Sequence, residues 1–270
     1  MTSKLTPVIE AWAQTAHSII DLVVELSEPE WNLPTECPGW SVRDCVSHVI
    51  GIERELMGEP TPWHQLPRDL VHVQTDVDRY TEIPVDIRRC HTPAEMVAEL
   101  REVVDRRLTM LRGDTRGPDD EVVGMMGVRR PYLPVLTLRV FDVWAHEQDI
   151  RRAVGRPGNL DGPAAELSRE RILAGMPRVV ARDAGAPPGS TVLFDVSGPV
   201  AFTRTVSVGT DRRGSLTGEV PASPTVWLRM DWETFVRLGC GRVQPETADV
   251  KIEGDEDLAG QVLAKMAVTP

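Results

Sequence analysis

The hydrophobic pattern of this 270-residue chain changes period once, and that change limits its architecture more than any other feature. Up to about residue 182, apolar side chains recur at helical spacing; beyond the segment AGAPPGS, residues 184–190, they fall into short runs with some alternation. A period near 3.6 predicts helices that bury one stripe against one another, and a period of two predicts strands with one covered face. Proline and glycine between the two regimes have the chemistry of a linker. The expected organisation is an all-α domain over about 1–183 and a small α+β domain over about 190–270.

The first helix is predicted over 5–26, with Leu5, Val8, Ile9, Trp12, Ala16, Ile19, Val23 and Leu26 on its apolar side. The prolines of PEWNLPTECPGW make the next stretch a loop. Ser41 then caps a second helix to about Met57, with Asp44 in the third position as a shorter version of the capping box. Residues 59–91, with Pro60, Pro62, Pro67 and Pro84, show little periodicity and read as a long connection with at most a short element. Thr92 and Pro93 start a third helix over 93–112. A fourth runs from near Val135 to Val154, where Gly155, Pro157 and Gly158 end it, and a fifth covers about 163–182. In the second half TVLFDV, AFTRTVSV, PTVWLRM and ADVKIEG read as strands. Asp231 and Asp255 cap two helices there.

Charge and apolar content exclude several function classes. A net charge of −11 repels phosphate backbones, so no nucleic-acid partner is expected. No stretch approaches eighteen uncharged apolar residues, so no membrane span is expected. MTSKLTPVIEAWAQTAH lacks the apolar run and cleavage site of a signal peptide, which points to a cytoplasmic protein. Cys37, Cys45, Cys90 and Cys240 are scattered, without a CxxC pair, and read as reduced thiols.

The chemistry concentrates in the fourth helix, RVFDVWAHEQDIRRAVG. Asp142 and His146 are four apart, so both side chains leave one face a turn apart and can grip one metal ion. His48, among Val46, Val49 and Ile50 on the second helix, supplies a third ligand if the two helices pack as neighbours. Two histidines and a carboxylate leave a coordination position open, the pattern of a catalytic zinc site. The same set suits ferrous iron, manganese or nickel. The competing reading makes Asp142 and His146 a surface ion pair and His48 a core histidine. Glu147 leaves the helix off that face, and Trp40 and Trp144 read as packing. Neither a phosphate loop, a G-x-S-x-G elbow nor an HExxH motif occurs.

TECPGWSVRDCVSHV, followed some ninety residues later by LRVFDVWAHEQDIRRAVGRP, resembles the mycothiol-dependent maleylpyruvate isomerase family. The resemblance covers most of the chain. It implies a DinB-like four-helix bundle followed by a smaller α/β domain. It also implies zinc, or another divalent transition metal, on His48, Asp142 and His146. The family has glutamate where this chain has Asp142, one methylene shorter, which puts the particular isomerisation in doubt more than the metal site. In FVRLGCGRVQPE, Arg242 matches a family arginine important for catalysis; its planar fork suits a substrate carboxylate. The alternative is a helix-end arginine that satisfies carbonyls. The implied activity is thiol transfer to, or thiol-assisted isomerisation of, a small electrophile, with mycothiol as co-substrate. A non-enzymatic metal- or ligand-binding protein of the same fold is the alternative.

Overall fold

The computed structural model describes residues 4–269, so the first three residues of the segment read for a leader lie outside it. Chain packing separates two compact units, Met1–Ala164 and Ala165–Pro270.

The first unit contains α1 (Thr6–Val23), the single turn α2 (Glu28–Trp31), α3 (Val42–Leu56), α4 (Asp76–Arg88), α5 (Pro93–Gly113) and α6 (Tyr132–Ala153). A short hairpin, β1 (Glu121–Val123) with β2 (Arg129–Pro131), precedes α6. α1 and α3 each pack against both α5 and α6, which closes a four-helix bundle, and α4 packs on α3. Local chemistry sets the helix starts. The Ser41 hydroxyl accepts from the Asp44 amide while the Asp44 carboxylate takes the Ser41 amide at 2.9 Å; Thr92 and Glu95 repeat the reciprocal cap on α5. Trp12, Ile19, Val46, Ile50, Leu100, Val104, Val140 and Trp144 fill the core.

α4 corrects the reading of 59–91 as a connection with at most a short element. It has 13 residues and its own capping box from Thr75 and Asp78. Its pattern is weak because its buried positions are Glu82, Pro84, Val85 and Arg88, only two of them apolar. Glu82 and Arg88 are covered because they have ionic partners there, Arg89 and Glu99 respectively.

In the second unit a five-stranded sheet has the order β5 (Gly214–Thr217), β4 (Phe202–Val208), β3 (Thr191–Ser197), β6 (Val226–Asp231), β7 (Lys251–Gly254). β3 and β6 are parallel, with Val192 opposite Val226, and the other pairs are antiparallel. α7 (Pro163–Arg178), α8 (Trp232–Gly239) and α9 (Glu256–Ala264) complete it. Phe194, Val206, Leu228, Phe235, Leu258 and Val262 form its core, with the Phe194 and Phe235 rings edge to face at 6.3 Å. The division falls inside α7, ahead of AGAPPGS, so most of that helix belongs with the sheet. Gly214 shows why: a Cβ there would collide with the Pro177 carbonyl, so the end of α7 lies directly on β5.

Candidate metal centre

Three side chains from two helices meet inside the first unit. His48 comes from the middle of α3, Asp142 and His146 from successive turns of α6. One donor atom of each lies within 4.8 Å of the other two. His48 Nε2 is 3.1 Å from Asp142 Oδ2, and His146 Nε2 is 3.9 Å from Asp142 Oδ1. The two imidazoles stand edge to face with centroids 4.8 Å apart. Their side chains are 3% and 6% exposed, whereas Asp142 is 23% exposed, so solvent reaches the cluster on the carboxylate's side.

The surroundings set the charge of each donor. Burial pushes the His48 imidazole below its ordinary pKa, against the pull of Asp142, and this favours the neutral ring that can donate a lone pair. Burial alone would raise Asp142, but the Arg139 guanidinium and then His48 outweigh it and hold the carboxyl well below its usual range. Arg139 sits one turn before Asp142 and ion-pairs with Oδ2. This leaves Oδ1 as the oxygen turned to His146. Arg139 is itself held by Glu53, whose buried carboxylate also accepts from Trp12 Nε1 and Arg107 Nε, each at 3.0 Å. Two imidazoles and an ionised carboxylate, converging within a few ångström, fit a divalent transition metal.

Trp40, in the loop before α3, lies against both rings, 5.0 Å from His48 and 5.5 Å from His146 between centroids. It packs, as its sequence suggested, but it packs on the site. Behind His146 a second group gathers: Cys37 Sγ, His146 and the Asp149 carboxylate also lie within 4.8 Å of one another. Asp149 Oδ2 is 3.3 Å from His146 Nδ1, and Oδ1 accepts from Arg152 at 2.9 Å. The i+3 spacing of Asp149 from His146 is the sequence signal for this contact.

Glu147 and three other histidines of the first unit have partners of their own. Glu147 turns toward α1, where Ser18 donates to it at 2.6 Å, with Arg151 and Asn159 as further partners. His64, His72 and His91 face Asp86, Glu82 and Glu99. Arg242 belongs to the second unit, just after α8, and donates to the Cys240 carbonyl at 2.9 Å. Among the described residues no helix is long and apolar enough to cross a membrane.

Known proteins resemble the chain along nearly its whole length. Residues 12–151 match the family model of the mycothiol maleylpyruvate isomerase N-terminal domain, and residues 152–261 match that of the MDMPI C-terminal domain. A crystal structure of mycothiol-dependent maleylpyruvate isomerase shares the fold with a TM-score of 0.59 at 16% identity, over 94% of this chain and 96% of that one. A histidine-to-alanine mutant of the isomerase gives 0.58 at 16% identity, over 93% and 96%. No curated protein matches in sequence. With both domain models matched in order across the two units, the chain belongs to the mycothiol maleylpyruvate isomerase family.

Proposed function

We propose that this protein is a metal-dependent enzyme, with zinc as the first choice of metal, that uses mycothiol on a small electrophilic, anionic substrate, either isomerising it or transferring the thiol to it. One observation carries the reading: His48, Asp142 and His146 bring their donor atoms within 4.8 Å in a chain of this family. A divalent metal held there would supply Lewis acidity that keeps a thiol as thiolate near neutral pH.

The chain's own residues do the rest. His48 and His146 present ring nitrogens from a dry wall, and Asp142 adds the negative charge that offsets the cation. Arg139 fixes one oxygen of Asp142 and so points the other toward His146. That arrangement suits the shorter aspartate, because the carboxylate is aimed rather than left to rotate. Trp40 covers the imidazoles and keeps water from their faces. From the second unit we assign Arg242 to the substrate's anionic group, for which a guanidinium is the fitting partner.

Metal analysis of untagged protein tests the reading. About one zinc per chain is expected, and His146→Ala should abolish it; stoichiometric metal in that variant would sink the site. Turnover of an electrophile panel with mycothiol separates an enzyme from a metal store. Arg242→Ala should lower turnover or raise KM with metal content unchanged.

A further inference from the structure

The metal reading leaves one buried carboxylate beside the site without a role. We propose that Asp149 is a positioning residue: it keeps the ring proton of His146 on Nδ1, so that the Nε2 lone pair faces Asp142 and His48. This inference rests on the metal reading proposed above.

The geometry comes from helix spacing. Asp142 precedes His146 by four residues and Asp149 follows it by three. Seven residues turn an α-helix through roughly two full circles, so the two aspartates stand nearly in line with the imidazole between them. Each faces a different nitrogen: Asp142 Oδ1 is 3.9 Å from Nε2, and Asp149 Oδ2 is 3.3 Å from Nδ1. Nδ1 is buried and makes no hydrogen bond among the described residues, so Asp149, 3.3 Å away, is a carboxylate within reach of an unsatisfied ring nitrogen; the residue is 5% exposed. A neutral imidazole carries one N–H and one lone pair, so whichever nitrogen donates to a carboxylate leaves the other to ligate.

Asp149 is well held for this task. It is 1% exposed, and Arg152 binds its other oxygen at 2.9 Å and reaches Glu36 at 2.8 Å. Arg152 thus anchors the carboxylate from the side away from the ring. Cys37 Sγ faces the same pocket and defines the competing arrangement, in which a metal would sit on Nδ1 with a thiolate ligand. The carboxylate, 3.3 Å away and anchored by Arg152, can take the Nδ1 proton's hydrogen bond once the ring turns to align its N–H.

The full-length protein can decide between them. Zinc affinity is measured by chelator competition for wild type, Asp149→Asn and Asp149→Ala, with thermal melts of the metal-free forms as a folding control. Loss of this kind of support should weaken binding ~10–100-fold, with alanine the more severe and stoichiometry unchanged. Nitrogen-15 NMR of zinc-loaded wild type gives a readout that needs no variant: the His146 proton should be on Nδ1 and the metal on Nε2. A proton on Nε2, or a thiolate-to-metal charge-transfer band in the cobalt form, would overturn the proposal in favour of Cys37. Wild-type zinc affinity in both Asp149 variants would also overturn it and leave the metal reading intact. A wild-type protein that binds no metal would remove both.

Discussion

Trp40 and Glu82 are joined by a 2.8 Å hydrogen bond from the indole Nε1 to a carboxylate buried on α4. The bond ties the loop before α3 to α4 and holds the indole over His48 and His146. Glu82 also ion-pairs with Arg89 at 2.7 Å and faces His72 at 2.9 Å. Glu82→Ala leaves Trp40 and Arg89 without this partner, and a loss of about 1–3 kcal/mol is expected in urea denaturation. Zinc should also bind more weakly, because the wall that orients both imidazoles loosens. Unchanged stability and zinc affinity would mean that Trp40 is held by packing alone.

Glu53 is the hub between the bundle core and the site. It is fully buried and ion-pairs with both Arg107 and Arg139. Glu53→Gln leaves two buried guanidinium groups short of charge, which should destabilise the fold by about 3–5 kcal/mol. Equilibrium unfolding measures this directly, and a loss below about 1 kcal/mol would show that water or another carboxylate takes over.

Gly51 allows α4 to lie close to α3. A Cβ at that position would collide with the Pro84 side chain. Gly51→Ala should therefore cost about 1–3 kcal/mol despite alanine's better helix propensity. A melting temperature at or above wild type would show that α4 can move aside without loss.

The end of α5 holds one source of acid sensitivity. A hydrogen bond from Arg116 outweighs burial and lowers the Asp114 carboxyl from 3.8 to about 2. Because the folded value lies below the unfolded one, the stabilisation is complete above about pH 4 and disappears as pH falls through 2. A shift of this size corresponds to roughly 2 kcal/mol, which solvent at the partly exposed Arg116 screens to about 1 kcal/mol. Asp114→Asn should show that deficit at pH 7 and match wild type at the acid limit; a deficit that does not change with pH would assign the loss to shape.

How much was legible in the sequence depended on the range of the forces involved. Apolar periodicity marked α1, α3, α5 and α6, and Ser41, Thr92, Asp231 and Asp255 marked helix starts, because a cap acts within three residues. β5 escaped notice because GSLT is short and carries one apolar residue. α4 escaped because its buried face is half charged, and a burial that depends on ionic partners elsewhere in the chain leaves no hydrophobic rhythm.

The same division runs through the site. One turn of helix placed Asp142 beside His146 and made that pair readable from spacing alone. His48 lies 94 residues from Asp142, and only the packing of α3 on α6 brings the two to 3.1 Å. Arg139's ion pair with Asp142 is again a one-turn contact, but its burial depends on Glu53 from α3. The sequence by itself determined where the capped helices α3, α5, α8 and α9 begin, and which helix carries the paired donors. Tertiary packing decided which faces meet, that Trp40 covers the imidazoles, and that Asp149 stands behind His146 in a dry pocket. Local backbone chemistry acts over about four residues, whereas desolvation and long-range pairing exist only after the helices have been brought together.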